Sequence, residues 1–199
     1  MSRRPDPERK PELVAQILDY LLDKPLSSLT FRTLASGLGV STFTLVYHFG
    51  TRAELLSEIV AAISGREAGI HENMVAHPAS LDAYFDGLES SWQWAMQPRN
   101  RQLQRLEFEA SMIEALDPSG HVFVRKLFAR WQRLGYEALL SFGVAPEAAD
   151  VESRLVVDTF YGIQFDLVLN GDDQRASDAF ARAVALHRER IADLVGQSA

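Results

Sequence analysis

Residues Thr42, Phe43, Thr44, Tyr47 and His48 bring two threonine hydroxyls, two aromatic rings and an imidazole into one short stretch of chain. Hydroxyls and imidazoles hydrogen-bond to phosphate or base edges, and aromatic rings meet base edges, thymine methyls or the sugar–phosphate surface. The set has the chemistry of contact with duplex nucleic acid, provided one helix face presents it. With Leu45 at zero and ~100° per residue, Phe49 falls at about 40° and Thr42 at about 60°. Phe43 and Tyr47 fall at about 160° and about 200°. If Leu45 and Phe49 enter a core, the two rings point away from it. Such rings are covered either by another helix of the same chain or by a partner, and the spacing alone leaves both open.

Other constellations that carry chemistry are missing from the sequence. Its five histidines (His48, His71, His77, His121, His187) have no metal-binding spacing. Glu67 and His71 stand at i and i+4, but no second such pair completes a helical carboxylate–histidine site. There is no His-Glu-x-x-His, no phosphate-binding glycine loop and no Gly-x-Ser-x-Gly elbow. The absence of cysteine excludes disulfides, Cys-ligated zinc, iron–sulfur clusters and thiol catalysis. No cofactor, metal site or enzymatic activity is expected.

The elements that must position these residues are helices punctuated by proline and glycine. Leu13, Val14, Ile17, Leu18 and Leu21 form one apolar stripe that stops before Pro25. Short apolar segments follow at 34–38 and 45–49, and a longer helix runs from Arg52 to about His77. Further stripes lie at 81–95, stopped by Pro98, at 103–113, closed by Asp117-Pro118, and at 124–142. Pro146 opens an eighth helix that reaches Asn170-Gly171, and Phe180 to Leu194 marks a ninth. Nothing alternates apolar and polar long enough to read as a strand. The expected fold is all-α, with about nine helices, no internal repeat and no low-complexity tract.

Within this frame Thr30 caps a short helix of Phe31–Gly37, Gly39 supplies a tight turn, Val40 plugs the angle and Ser41 caps the next helix. Helix, glycine turn and capped short helix make a helix-turn-helix, whose second helix enters the major groove. On Thr30, Ala35, Gly39-Val40-Ser41, Thr44-Leu45, His48-Phe49 and Arg52, the segment from Leu29 to Leu56 resembles the DNA-binding domain of TetR/AcrR-type transcriptional regulators. The resemblance implies that Arg32 and Thr33 contact backbone or an edge base. It implies that Thr42, Phe43, Thr44 and Tyr47 face the groove, that His48 contacts phosphate, and that Arg52 pairs with phosphate at a positive helix end. Val46 stands where the family has a phosphate-binding tyrosine, with Tyr47 about 100° further round. Arg3, Arg4, Arg9 and Lys10 either track the DNA backbone or only solubilise the start of the chain.

Composition agrees with a helix-turn-helix head on a different body. The chain has 199 residues, 47% apolar and 24% charged, with net charge −7. Residues 1–52 hold seven Lys/Arg against five Asp/Glu, which leaves thirteen against twenty-two for the rest. A mildly basic head on an acidic body suits a polyanion-binding module fused to another function. No apolar run approaches the ~18 residues of a membrane span, and Met1–Lys10 lacks the apolar core of a signal peptide. A cytoplasmic protein is expected.

The expected division is a helix-turn-helix domain at 1–52, a connecting helix at about 52–77, and a helical ligand-binding and dimerisation domain at 78–199. The resemblance implies a homodimer on a near-palindromic operator, paired through the last two helices and released by a small molecule. The eighth helix is apolar on several faces. Val151, Leu155, Gly162, Phe180, Val184 and Ile191 are the expected pairing residues, with burial in a central core helix as the alternative. Trp94, Phe108, Met112, Phe128, Trp131, Phe160, Tyr161 and Gln164 are the candidates for a hydrophobic or aromatic ligand, with plain core packing the alternative for each. A helical dimer without a ligand, an activator in place of a repressor, and a helical enzyme are the competing functions.

Overall fold

A computed structural model describes residues 9–75, 78–116 and 123–198, backbone alone at 64–75, 123, 197 and 198. Arg3, Arg4, His77, His121 and the Asp117-Pro118 stop lie outside the described residues. The described residues form nine α-helices, one 3₁₀ turn at Leu26–Ser28 and no strand. The helices are α1 (Arg9–Leu21), α2 (Phe31–Leu38), α3 (Thr42–Phe49), α4 (Arg52–Val75), α5 (Leu81–Met96), α6 (Pro98–Leu116), α7 (Phe123–Ser141), α8 (Pro146–Asn170) and α9 (Asp173–Ser198).

The short helices start and stop where side chains satisfy the backbone. Thr30 accepts from the Thr33 amide while Thr33 accepts from the Thr30 amide, a reciprocal cap on α2. Gly39 ends α2 in the left-handed region (φ 65°, ψ 29°), and the Gly39 and Val40 amides both donate to the Ala35 carbonyl. Ser41 then caps α3 by accepting from the Thr44 amide at 3.0 Å. At the far end Gly50 takes φ 65° and ψ −107°, a conformation that only glycine adopts without strain. Thr51 and Glu54 cap α4 reciprocally, at 2.7 and 3.2 Å.

The chain divides into two compact units. Residues 1–65 with 106–124 make the first, and residues 66–105 with 125–199 the second. In the first unit α2 packs against both α1 and α3. The α1 stripe of Leu13, Ile17, Leu18 and Leu21 is fully buried, as are Leu34 and Leu45. The later part of α6 groups with this unit, and its Glu109 accepts a hydrogen bond from the Leu26 amide at 2.6 Å. Lys10 is an α1 residue held in an ion pair with Glu58 at 2.5 Å, and Arg9 pairs with Glu12. Neither is part of a free basic tail.

In the second unit α9 packs on α8 and α5 around a core that includes Tyr84, Phe85, Trp92, Leu139, Leu167 and Ile191. The Trp92 and Phe180 rings stack at 4.7 Å. Of the expected pairing residues, Phe180, Val184 and Ile191 are buried in this protomer's own core, where the apolar stripe of α9 packs on α8 and α5, and Phe180 and Val184 also line a surface groove with Trp92, Ala181 and Arg188.

Candidate nucleic-acid interface and ligand cavity

The short α3 helix sorts its side chains as its geometry requires. Leu45 is fully buried and Phe49 nearly so, whereas Phe43 is 77% exposed and Tyr47 62% exposed. No described helix covers the two rings, which lie roughly parallel with centroids 6.5 Å apart. His48 meets the edge of Tyr47 at 5.1 Å and is half-buried. Val46 adds to the same exposed surface. Arg32 and Thr42 are exposed on the flanks. The arrangement is a protruding, capped two-turn helix with an aromatic ridge, flanked by hydrogen-bonding groups.

Three of the expected contact residues already have structural work. The Thr33 hydroxyl donates to a carbonyl of the α2 start and accepts from Thr30, so its side chain belongs to the cap. The Thr44 hydroxyl lies 2.8 Å from that of Ser41. Arg52 Nε donates to the Leu29 carbonyl at 3.0 Å, tying the start of α4 to the segment before α2. The carboxylate of Glu54 accepts from the Thr51 amide just before α4, so the protein's own anion stands at the helix start where the sequence suggested room for a phosphate.

The second unit holds a cavity of about 100 Å³ among α5, α6, α7 and α8. From α5 it is lined by Tyr84, Leu88, Ser91 and Trp94, from α6 by Gln104, and from α7 by Trp131 and Gly135. Val156, Val157, Phe160, Tyr161 and Gln164 of α8 complete it. Five of the expected ligand residues thus meet at one place: Trp94, Trp131, Phe160, Tyr161 and Gln164. Phe128 does not line the cavity but stacks on Tyr161 at 4.0 Å and fixes that ring. Phe108 and Met112 do not line it either. Both belong to the first unit, and Met112 is 65% exposed.

The polar groups around the cavity differ in how they are satisfied. The Tyr84 hydroxyl is paired with His187 Nε2 at 3.1 Å, and the Ser91 hydroxyl donates to the Gly87 carbonyl. His187 is itself buried, and burial pulls its pKa below the usual histidine value against the opposing charge of Glu152 3.8 Å away. Burial, and then Glu152, push the Tyr84 phenol upward. Arg190 donates to the other oxygen of Glu152. Gln104 is the exception: it is 4% exposed, and its Nε2 has no hydrogen-bond partner among the described residues. Sequence reasoning missed it because a glutamine beside Leu103 and Leu106 reads as the wet edge of a stripe. Among the described residues no cluster of His, Asp or Glu could hold a metal ion.

Several solved structures of transcriptional regulators share the fold of this chain. A TetR regulator from Legionella pneumophila matches 97% of this chain and 98% of its own at 15% identity, with a TM-score of 0.66. The fold is that of the TetR family. A TetR-family regulator from Pectobacterium atrosepticum matches 94% of each chain at 17% identity and a TM-score of 0.65. The multidrug binding protein EbrR, solved with imidazole, matches 89% of this chain and 95% of its own at 19% identity and a TM-score of 0.61. No protein-family model matches the sequence. No curated protein matches it.

One more surface of the chain stands out. Val151, Leu155, Phe165 and Leu169 of α8 are each at least half exposed. With Gly162 between them the intervals are four, seven, three and four residues, which keeps them on one side of the helix, where Asp158 fills the remaining position of the row. A Cβ at Gly162 would meet nothing within 4 Å, so no neighbour in the protomer accounts for the glycine. Leu186 of α9 is also exposed. Phe165, Leu169 and Leu186 were missed in the sequence, because an apolar residue on a helix that is greasy all round gives no sign of which side stays open. No described helix is long and apolar enough to cross a membrane.

Proposed function

We propose that this protein is a transcriptional regulator that binds a near-palindromic operator as a homodimer and is released by a small hydrophobic or aromatic ligand. The observation that carries the reading is the exposed aromatic edge of α3 opposite its buried Leu45–Phe49 edge. A capped two-turn helix that spends only one edge on the core leaves the other to enter a major groove. Thr42, Phe43, Thr44 and Tyr47 face bases or thymine methyls, and Arg32 and His48 contact the backbone. Arg52 contacts phosphate through the amino groups not used on Leu29. Thr33 acts through the cap, presenting the start of α2. Repression follows where the operator overlaps a promoter, and the protein works in the cytoplasm where that duplex lies.

The exposed seam of α8 supports pairing with a second copy, since a two-fold axis sets the same apolar row against itself. Gly162 then permits close approach of the two backbones. Recognition helices of such a dimer sit roughly 34–36 Å apart, or a multiple. The aromatic cavity favours a ligand sensor over a dimer without an effector, and multidrug binding by the similarly folded EbrR is in keeping with that. A ligand that prefers one spacing of the two heads shifts the population off the operator.

The test is binding to a duplex enriched from a random-sequence pool, compared with unselected duplex. Tyr47→Ala and Thr44→Ala lower the ratio of specific to non-specific affinity by about tenfold each, on the order of one lost base contact. Arg52→Ala weakens both affinities together. Unchanged gel shifts for all three variants would reject the assignment.

A further inference from the structure

The cavity in the second unit has a sharper chemistry than its apolar walls alone convey. None of its lining residues carries a formal charge. A charged ligand there would be stripped of water without a partner, which costs far more than an aromatic wall returns. Of the polar groups that reach the cavity, the Tyr84 hydroxyl is held by His187, the Ser91 hydroxyl by the Gly87 carbonyl, and the Gln164 amide is only half-buried and so can be met by water. Gln104 alone is both deeply buried and equipped with an amide nitrogen that has no partner among the described residues. A buried N–H left unmet is a standing cost to the free protein, and it is removed by whatever acceptor enters beside it. The position of this group is fixed. Asn100 donates to the Trp94 carbonyl at 2.9 Å and Arg101 pairs with Asp173 at 2.7 Å, so the turn joining α5 to α6 is pinned.

Size and shape narrow the class further. The cavity of about 100 Å³ is smaller than the ~150 Å³ apolar cavity that takes up benzene in another protein and is open on one side, so it encloses no more than one ring, with any substituent toward the mouth. Trp94, Trp131, Phe160 and Tyr161 offer flat faces to a flat guest. A cation could in principle use such rings, but no lining residue carries the negative charge that would hold it.

We propose that this cavity selects an uncharged, single-ring aromatic molecule that offers one hydrogen-bond acceptor to Gln104 Nε2. The proposal rests on the effector reading of the same cavity and gives that effector its chemical class. Gln104 sets specificity by rejecting ring compounds that leave its N–H unmet, while the aromatic walls supply affinity to all of them.

Calorimetric titration of the full chain with four probes tests it: acetophenone, its isostere α-methylstyrene, benzoate and benzyltrimethylammonium. Acetophenone saturates one site per chain and binds on the order of tenfold more tightly than α-methylstyrene, the worth of one buried hydrogen bond. Both charged probes bind more weakly than acetophenone. In Gln104→Met the ratio of the two neutral affinities falls to about one, with the thermal midpoint of the free protein unchanged or higher. Equal neutral affinities in the wild type overturn the proposal without recourse to any variant. So does a preference that survives Gln104→Met, a charged probe binding as tightly as acetophenone, or no saturable binding by any probe. The readout contains no DNA, so the two readings fail separately. Gln104-dependent acetophenone binding that leaves the operator complex intact upholds this inference and removes the effector role. Operator binding by a chain that takes up none of the four probes removes this inference alone.

Discussion

Single residues decide whether the reading edge of α3 exists and stays in place. Phe43 and Tyr47 contribute almost nothing to the core, so their removal changes stability by no more than about 0.5 kcal/mol. DNA binding and folding are therefore separable at these positions, which makes them cleaner probes than Arg52 with its bond to Leu29. Gly50 is the opposite case. Its φ of 65° with ψ −107° excludes a side chain, and an added Cβ would overlap the Glu54 carboxylate that caps α4. Gly50→Ala lowers the urea unfolding free energy by about 1–3 kcal/mol; a change within 0.5 kcal/mol would show that the turn relaxes freely. His187 adds a pH dependence. Its pKa is lowered by burial, so below the unfolded value of ~6.5 the unfolded chain binds the proton first. The contribution is complete above that value and is lost as pH falls through the folded one. Urea midpoints of the wild type fall on acidification from pH 7.5 to 5.5, and His187→Gln flattens that slope. An equally steep slope in the variant would exclude His187 as the cause.

At the scale of elements, caps and turns were legible and faces were legible only in part. Thr30, Gly39 and Ser41 act locally on amides a few residues away, so their spacing alone locates α2, the turn and α3. The α1 stripe was equally plain because all its apolar residues enter one core. α8 was not, since apolar residues on several sides do not say which side is closed. Packing against α9 closes Val156 and Leu167, and leaves Val151, Leu155, Phe165 and Leu169 open. Leu155→Glu sets two carboxylates against each other across a two-fold axis. It converts a dimer to a monomer in analytical ultracentrifugation, leaves thermal unfolding of the dilute chain within a few degrees, and abolishes cooperative operator binding. A variant that still sediments as a dimer would move the interface elsewhere.

At the scale of the whole molecule, charge and function divide along the chain. On the proposed reading, the mild positive balance of residues 1–52 suffices for DNA because affinity follows the phosphates neutralised, doubled in a dimer, and not the total charge of −7. The same reading gives the mildly basic head the duplex and the neutral cavity of the acidic body the ring compound.

The sequence by itself determined the all-α architecture, the helix-turn-helix and the outward side of α3, because each follows from neighbours within a turn or two of helix. It also assembled five of the aromatic and amide side chains that line the cavity. Only the tertiary structure decided that Phe180, Val184 and Ile191 face inward, that Phe108 and Met112 do not line the cavity, that Glu54 caps the Thr51 amide before α4, and that Gln104 is buried with an unmet N–H. Those outcomes depend on which distant helix occupies a given side, and periodicity along one helix carries no record of its neighbours.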